Sequence, residues 1–174
     1  MVAPFFDVPA LRKSGDLIYY SPLFLAEKPK NGKITIHGGT LFDYVFVIGR
    51  NLNGKSRTNL IIQQYLEGLI KLLDHHSREN QENFTIRGTS YILNERTARK
   101  IGFKVVQTDF LQRIILIFNY FNLMLTYSIA KGKWSWPSVV ETKTFEANLF
   151  DLMGKRDFTQ KLKESLEERL SYSD

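Results

Sequence analysis

One segment, residues 58–76, limits what this chain can fold into more than any other. Its apolar side chains recur at i, i+3, i+4, i+7 and i+11, which places them on one face of an α-helix. They are Ile62, Tyr65, Leu66, Leu69 and Leu73. Runs rich in apolar and β-branched residues, typical of strands, precede and follow this helix. The order strand, long helix, strand predicts a mixed α/β domain in which helices flank a sheet.

Three strand-like runs precede the helix. The first, DLIYYSPLFLAE at 16–27, and the second, ITIHGG at 34–39, flank KPKNGK, in which Asn31-Gly32 is a strong β-hairpin signal. The third run, LFDYVFVIG at 41–49, ends at a glycine. We therefore expect strands at all three positions, the third leading into the loop before the helix.

The second half of the chain alternates before it becomes helical. FTIRGTSYIL at 84–93 is typical of a strand, and NERTARKIG of a short helix that Asn94 caps and Gly102 ends. FKVV is a further strand, and mostly helix is expected after it. The last helix, in DFTQKLKESLEERL, carries a narrow stripe of Phe158, Leu162, Leu166 and Leu170. We expect one mixed α/β domain over 1–154, with an extra C-terminal amphipathic helix over 155–174 that packs on the domain or on a partner copy.

Composition excludes several classes of function. The 174-residue chain contains no cysteine, which rules out disulfides, thiolate zinc sites and a cysteine nucleophile. Its 24 Lys and Arg against 18 Asp and Glu give a net charge of +6, which favours a polyanionic ligand or partner. No basic cluster alternates with aromatic residues, so nucleic-acid binding is not expected. The N-terminus lacks the pattern of a secretory signal, and we expect a cytoplasmic protein.

A phosphate-binding loop is indicated at GRNLNGKSRT, residues 49–58. Gly49 to Ser56 fit the pattern G-x-x-x-x-G-K-S just before the long helix. The first N–H groups of a helix are unpaired and carry a partial positive charge, so a turn at this place can hold phosphate oxygens. The candidate cofactor-binding residues of the turn are Asn51, Asn53, Gly54, Lys55, Ser56, Arg57 and Thr58.

One interpretation of the loop is a site for ATP and Mg²⁺. Lys55 would bind the β- and γ-phosphates and Ser56 the metal. A triphosphatase also needs an acidic residue after an apolar strand, to hold the magnesium through water. The available acids, Glu95 and Asp109, do not follow four consecutive apolar residues, and a guanine-reading Asn-Lys-x-Asp motif is absent. Nucleotide binding is therefore the alternative rather than the first choice.

A second interpretation uses the segments downstream of the loop. From GRNLNGKSRTNLIIQQYLEGLIKLL to FTIRGTSYILNERTARKIGFKVV, within about residues 41–106, the chain resembles the cofactor-binding half of the GNAT superfamily of N-acyltransferases. In that family a strand leads into a turn, Gln/Arg-x-x-Gly-x-Gly/Ala, whose amides bind the pyrophosphate of coenzyme A. A long helix, a strand and a helix that opens with Asn and closes with Gly-Phe follow. The corresponding segments here are 51–56, 58–76, 84–93 and 94–103.

This resemblance implies a GNAT-like fold and an acyl-thioester cofactor, either acyl-CoA or an acidic acyl carrier protein. The turn would hold the pyrophosphate, and Asn94 would open the helix that completes the site. Asp43 or His37 would accept the proton of the attacking amine. The chain departs from the family at Asn51 and Ser56, and NERTARKIGF lacks the tyrosine that often serves as general acid. We therefore expect a divergent N-acyltransferase-like protein.

A third class of function comes from residues 114–130, IILIFNYFNLMLTYSIA. Lys131, Lys133, Trp134 and Trp136 follow this apolar stretch, as at a membrane interface. Its 17 residues are at the lower limit for a bilayer span, and two asparagines interrupt it, so a buried element is favoured. Peripheral membrane contact and a non-catalytic interaction module remain alternatives.

No metal site is expected. Asp74, His75 and His76 are rich in metal-ligating groups, but adjacent residues of a helix point about 100° apart. They are better explained as groups near the end of a helix.

Overall fold

The computed structural model describes residues 15–49, 51–79, 83–90, 92–108, 117, 120–138 and 143–171. Within these residues the chain is an α/β fold with a mixed six-stranded sheet and flanking helices, as the sequence predicts. The strands are β1 (Leu17–Ser21), β2 (Phe24–Glu27), β3 (Lys33–Gly38), β4 (Thr85–Ser90), β5 (Lys104–Val106) and β6 (Lys143–Asn148). The helices are α1 (Leu41–Val47), α2 (Gly54–Glu79), α3 (Glu95–Lys100), α4 (Tyr120–Lys131), α5 (Leu149–Met153) and α6 (Arg156–Ser171).

The strands lie side by side in the order β1-β2-β3-β4-β6-β5. Strands β3 and β4 are parallel, and the other neighbours in the sheet are antiparallel. A parallel pair needs a long crossover, and α2 supplies it. The sheet is thus an antiparallel half, β1 to β3, joined through one parallel pair to a second antiparallel half.

The hairpin predicted at Asn31-Gly32 is confirmed. Both residues have positive φ, 52° and 71°, as a two-residue type I′ turn requires. Lys30 and Lys33 exchange backbone hydrogen bonds of 2.9 and 3.1 Å across it. The single strand predicted over 16–27 is wrong, because the chain turns at Pro22 and returns as β2. Proline has no N–H for a ladder bond, which interrupts the strand at that point.

The strand predicted at 41–49 is also wrong, because Leu41–Val47 forms helix α1. Thr40 and Asp43 make a capping box, in which the Asp43 N–H donates to Thr40 Oγ1 (3.3 Å) and the Thr40 N–H donates to Asp43 Oδ2 (2.7 Å). Strand β4 already occupies the edge of β3 that a strand at 41–49 would need. The cap and the tertiary pairing outweigh the local preference of aromatic and β-branched residues for a strand.

The long helix is confirmed, and it extends beyond 58–76 to Gly54–Glu79. Its predicted apolar face packs on the sheet, where Leu66, Leu69 and Leu73 are at most 3% exposed. Ile34 of β3 and Ile86 of β4 lie in the same core cluster and are fully buried. Each such side chain stabilises the fold by about 1.5–3 kcal/mol when it leaves water. The core therefore lies between α2 and the centre of the sheet.

The order strand, short helix, strand over 84–106 is confirmed by β4, α3 and β5. One strand does not follow from the sequence, since β6 lies where mostly helix is expected. Strand β6 inserts between β4 and β5, and Phe145 pairs with Gly88 on one side and with Val105 on the other. The segment KTFEAN has weak intrinsic strand preference, so pairing on both edges decides its conformation.

Helix α6 packs on α2 of the same chain. Arg156 donates to both carboxylate oxygens of Asp74 at 2.7 and 2.8 Å, and Gln63 Nε2 donates to Glu167 Oε1 at 2.9 Å. Two residues of the predicted apolar stripe, Leu162 and Leu166, face the core cluster. At the start of the helix the buried residue is Thr159, and Phe158 of the predicted stripe is exposed. The contact with α2 requires no partner copy.

The apolar stretch 114–130 is described from Tyr120 onward, as α4, together with Ile117. Met124, Thr126 and Ala130 of α4 are buried, and Phe121 is exposed. Across the residues that the structure describes, no helix has the length and apolarity needed to cross a bilayer. The rest of the predicted apolar element lies outside the described residues.

Replacing Gly68 with alanine is expected to destabilise the fold. A Cβ at this position would lie 2.5 Å from Phe24 Cγ and 2.6 Å from its Cδ1. Both distances are shorter than a van der Waals contact, so the added methyl group would clash with the ring. The gain in helix propensity is about 1 kcal/mol, whereas overpacking a core costs about 1–3 kcal/mol. We expect a net loss of up to about 2 kcal/mol in urea unfolding. Gly154→Ala is the control, since a Cβ there meets nothing closer than 3.6 Å; an unchanged midpoint for Gly68→Ala would contradict the packing.

Candidate functional site

The parallel strands β3 and β4 separate at their carboxyl ends. Their ladder ends at Ile36 and Gly88, but β3 continues to Gly38 and β4 to Ser90. Over these last residues β3 pairs with β2 and β4 pairs with β6. In open α/β sheets, ligands bind in the crevice beyond the carboxyl ends of the strands. The gap between β3 and β4 is therefore the first place where a site is expected.

An apolar cavity occupies this gap. It contains about 560 Å³ of empty space, part of it open to solvent. Small-molecule sites combine apolar walls with a few polar groups. The walls come from α2, from the ends of four strands and from the residues flanking α3. They are Phe24, Ile36, His37, Gly38, Tyr65, Leu66, Leu69, Gly88, Thr89, Ser90, Leu93, Ile101, Phe103 and Phe145.

His37 belongs to the cavity lining at the carboxyl end of β3, and its imidazole lies on the face of the sheet opposite α2. Its Nε2 lies 2.8 Å from Glu27 Oε1 of the neighbouring strand, and both side chains are partly exposed. A carboxylate oxygen accepts hydrogen bonds and cannot donate one, so Nε2 holds the hydrogen in this pair. Nδ1 of the neutral ring is then the nitrogen that can accept a proton. The carboxylate orients the imidazole and stabilises it once it is protonated.

An irregular register in the hairpin brings Glu27 to this face. Lys30 is opposite Lys33 at the turn, but further along Ala26, not Glu27, is opposite Ile36. Three residues on one strand therefore oppose two on the other, as in a β-bulge. With a regular register Glu27 would lie opposite Ile36 and face α2. The sequence analysis does not include Glu27 for this reason, because a one-residue shift moves a side chain to the other face.

Two tyrosines meet at the same end of the cavity. The hydroxyls of Tyr44 and Tyr65 are 2.6 Å apart, and Tyr65 belongs to the cavity wall. Burial raises the pKa of Tyr65 to about 12, and the hydrogen bond with Tyr44 lowers the pKa only in part. Tyr65 is predicted from the sequence only as a member of the apolar helix face. The signal for a further role is its hydroxyl, since a buried tyrosine needs a hydrogen-bond partner.

Asn53 caps the start of α2 in the predicted phosphate loop. Its Oδ1 accepts the backbone N–H groups of Lys55 (3.0 Å) and Ser56 (2.9 Å). Asn53 is thus an N-cap, and two of the amides expected to bind phosphate donate within the protein. The Lys55 side chain is exposed, as is Asn51, whereas Ser56 is 4% exposed. Lys55 is the charged group of the turn that faces solvent most openly.

The remaining residues of the turn join α2 to the end of α4. Arg57 Nε donates to Leu52 O at 2.7 Å, and its Nη1 donates to Ile129 O at 3.1 Å. Thr58 Oγ1 donates to Gly54 O at 2.9 Å. A Cβ at Gly54 would clash with the carbonyl oxygen of Lys131, so glycine permits the close approach of the two helix ends. The positive end of α2 therefore faces the negative end of α4.

Asp43 and Asn94 both act as helix caps. Asp43 Oδ2 accepts hydrogen bonds from the N–H and hydroxyl of Thr40, each at 2.7 Å, and from Tyr19 Oη at 3.2 Å. Asp43 therefore lies in the first turn of α1, and its predicted position on a strand is wrong. Asn94 Oδ1 accepts the Thr97 N–H at 2.8 Å, next to Leu93 of the cavity wall. The predicted cap at the start of α3 is confirmed.

Of the predicted residues, the structure brings His37 to the cavity and leaves the turn 51–58 as a separate group at the start of α2. Among the described residues, no three His, Asp or Glu side chains are placed to hold a metal ion together.

Comparisons with protein-family models, with curated proteins and with solved structures find no match to this chain. The geometry of the site must therefore support any assignment by itself.

Alkaline titration is expected to destabilise the protein through Tyr65. The pKa of Tyr65 is 10.0 in the unfolded chain and about 12 in the fold, so above pH 10 the unfolded state loses this proton first. Stability should fall by about 2–3 kcal/mol as the pH rises from 10 to about 12. Urea unfolding of wild type and Tyr65→Phe across this range measures the effect. Equal pH slopes for the two proteins would contradict the burial of the hydroxyl.

Proposed function

We propose that this chain is a divergent N-acyltransferase-like protein of GNAT-like architecture, which uses an acyl thioester of coenzyme A or of an acyl carrier protein. The observation that carries the proposal is the apolar cavity between the separated ends of β3 and β4, with His37 in its wall. The order of elements from β3 to β5 supports it, since a long helix, a strand and an Asn-capped helix follow the loop.

The gap suits an extended, amide-containing ligand. Strands that separate direct backbone N–H and C=O groups into the opening, and an extended chain can pair with them as an added strand would. The arm of coenzyme A that carries the acyl group is such a chain. Apolar walls from Leu66, Leu69 and Phe103 suit its methylene groups and the acyl chain.

The phosphate end of the ligand is proposed to lie at the start of α2. The helix returns the chain from the carboxyl edge of the sheet to the amino edge, so its first turn lies at the same edge as the cavity. Lys55 is exposed there, and Arg57 adds positive charge. Because the amides of Lys55 and Ser56 donate to Asn53, the Lys55 ammonium is assigned the main phosphate contact.

The acid–base groups on the two faces of the gap suit acyl transfer to an amine, because a ligand that lies between the separated strands is open to both faces. The thioester supplies an activated carbonyl when it is bound. His37 is proposed to accept the amine proton at Nδ1 while Glu27 holds the ring through Nε2. As the C–N bond forms and the C–S bond breaks, the leaving thiolate takes a proton, which the Tyr65 hydroxyl, protonated at neutral pH, is proposed to supply from the cavity wall. Asp43 remains the second candidate for the base, although its Oδ2 already accepts three hydrogen bonds.

The nucleotide alternative receives less support from the same residues. Helix α1, and not a strand, precedes Gly49, which departs from a Walker loop and from the acyltransferase turn alike. Ser56, which would bind magnesium, is buried. A cytoplasmic location and association of copies through the C-terminal helix stay predictions.

Calorimetric titration with acetyl-CoA is the test of binding. Wild type is expected to bind, and Lys55→Ala to bind at least about tenfold more weakly, because a hydrogen bond to a charged group contributes about 1.5–3 kcal/mol. Lys161→Ala, an exposed lysine of α6, is the control and should bind like wild type. Magnesium-dependent binding of ATP that Lys55→Ala abolishes, without binding of acetyl-CoA, would overturn the proposal in favour of the nucleotide site.

Turnover tests the role of His37 separately. His37→Ala is expected to keep acetyl-CoA affinity and to slow thiol release in the presence of primary amines by about 10²–10⁴-fold. Glu27→Gln should slow it less, since the amide still accepts a hydrogen bond from the ring. The chain has no cysteine, so a thiol-reactive dye reports coenzyme A alone. Binding without turnover in wild type would instead identify a non-catalytic module.

A further inference from the structure

Large apolar side chains are exposed on three connected parts of the molecule. On α1, Val45 and Phe46 point to solvent while Tyr44 is buried, and Phe46 is 83% exposed. Phe121, at the start of α4, is 66% exposed. Trp134 and Trp136 follow α4 and are exposed to a similar degree. Isolated exposed apolar residues are normal, but several on adjoining elements mark an interaction surface.

The three parts adjoin one another. Helix α1 packs against α4. The segment after α4 folds back along it, because the Ser135 N–H donates to Ser128 Oγ (3.0 Å) and Tyr120 Oη donates to Pro137 O (3.1 Å). Trp134 and Trp136, on either side of Ser135, therefore lie beside α4. We call Val45, Phe46, Phe121, Trp134 and Trp136 together the aromatic surface.

The charges around the aromatic surface have one sign. Segments 41–60 and 117–138 contain a single acidic residue, Asp43, whose carboxylate accepts hydrogen bonds at the start of α1. Among the described residues of these segments, the exposed basic ones are Lys55, Lys131 and Lys133. A surface that combines exposed aromatic and basic residues without acidic ones is complementary to an anionic partner.

The tryptophans and the lysines of this region together indicate the class of anionic partner that fits the aromatic surface. Tryptophan is enriched at membrane interfaces, where its ring lies at the level of the lipid headgroups. Lysine side chains next to it reach lipid phosphates, each adding about 1 kcal/mol of attraction to an anionic leaflet. A second copy of the chain fits poorly, because a two-fold contact would bring the same lysines face to face.

We propose that the aromatic surface docks this protein on an anionic lipid bilayer. The side chains of Phe46, Phe121, Trp134 and Trp136 enter the headgroup region, and Lys131 and Lys133 bind the lipid phosphates. The contact is peripheral and reversible, since it combines a few apolar side chains with electrostatic attraction. The inserted aromatic side chains do not belong to the cavity lining, so the contact leaves the cavity itself open.

Vesicle sedimentation with intrinsic fluorescence tests the proposal. Trp134 and Trp136 are the two tryptophans of the chain, so their emission reports this surface directly. The full chain should co-sediment with vesicles of phosphatidylcholine and phosphatidylserine, with a blue shift of the emission. Phosphatidylcholine vesicles, or added salt, should weaken binding at least about tenfold, because the screened or missing charge removes the contribution of the lysines.

Matched variants distinguish binding through the aromatic surface from nonspecific adsorption to vesicles. Phe46→Glu and Lys131→Glu/Lys133→Glu should each weaken binding to anionic vesicles at least about tenfold, given the loss of an inserted ring or of two cationic contacts. Phe158→Glu is the control, since it places the same charge at an exposed aromatic of α6. Circular dichroism and thermal unfolding verify that each variant folds.

Three outcomes would overturn the proposal. The first is no co-sedimentation of folded wild type with anionic vesicles. The second is equal loss of binding in Phe158→Glu and Phe46→Glu. The third is association with a protein in place of vesicles, seen either as a concentration-dependent dimer or as a blue shift with an acidic acyl carrier protein. If Phe46→Glu abolishes that association and vesicles do not bind, the surface is assigned to a protein partner. Acetyl-CoA affinity measured on Phe46→Glu should equal that of wild type, which keeps this test separate from that of the cavity.

Discussion

The parallel pairing of β3 with β4 is the constraint on which the rest of the structure depends. Parallel neighbours need a crossover, and α2 provides it by crossing the sheet and burying its apolar face on Ile34 and Ile86. Because the pairing ends at Ile36 and Gly88, the two strands diverge and leave a cavity at their carboxyl ends. The same pairing occupies the edge of β3, so residues 41–47 cannot pair with β3 and form α1 instead. Core, cavity and the start of α2 thus follow from one strand pair.

The loop before α2 illustrates how a motif and its environment differ. The amino-acid sequence of the loop matches a phosphate-binding pattern. The physical basis of that pattern is a set of unpaired backbone amides at the start of a helix. Here Asn53 accepts two of those amides, and Arg57 donates to backbone oxygens of Leu52 and Ile129. The turn is therefore also the junction between α2 and α4. Its exposed charge, at Lys55, is what remains directed to solvent, so an anion would meet an ammonium group before the amides.

Local patterns predicted those elements whose own residues determine their conformation. The Asn31-Gly32 hairpin, the apolar face of α2 and the Asn94 cap of α3 each depend on interactions within a few residues or on one helical period. Features that the sequence did not predict depend on distant partners. Strand β6 has a weak local preference and exists because β4 and β5 pair with it on both sides. Glu27 reaches His37 only because the hairpin register shifts by one residue.

The sequence by itself determined the α/β class, the strand–helix–strand core, the basic charge and the candidate histidine. Periodicity, capping residues and turn glycines act over short distances along the chain, so they can be read without coordinates. Tertiary structure alone decided that His37 contacts Glu27 beside the gap between β3 and β4, that Tyr65 meets Tyr44, and that Phe46 and Trp136 are exposed rather than buried. These relations join residues far apart in sequence, and strand register and helix packing fix them.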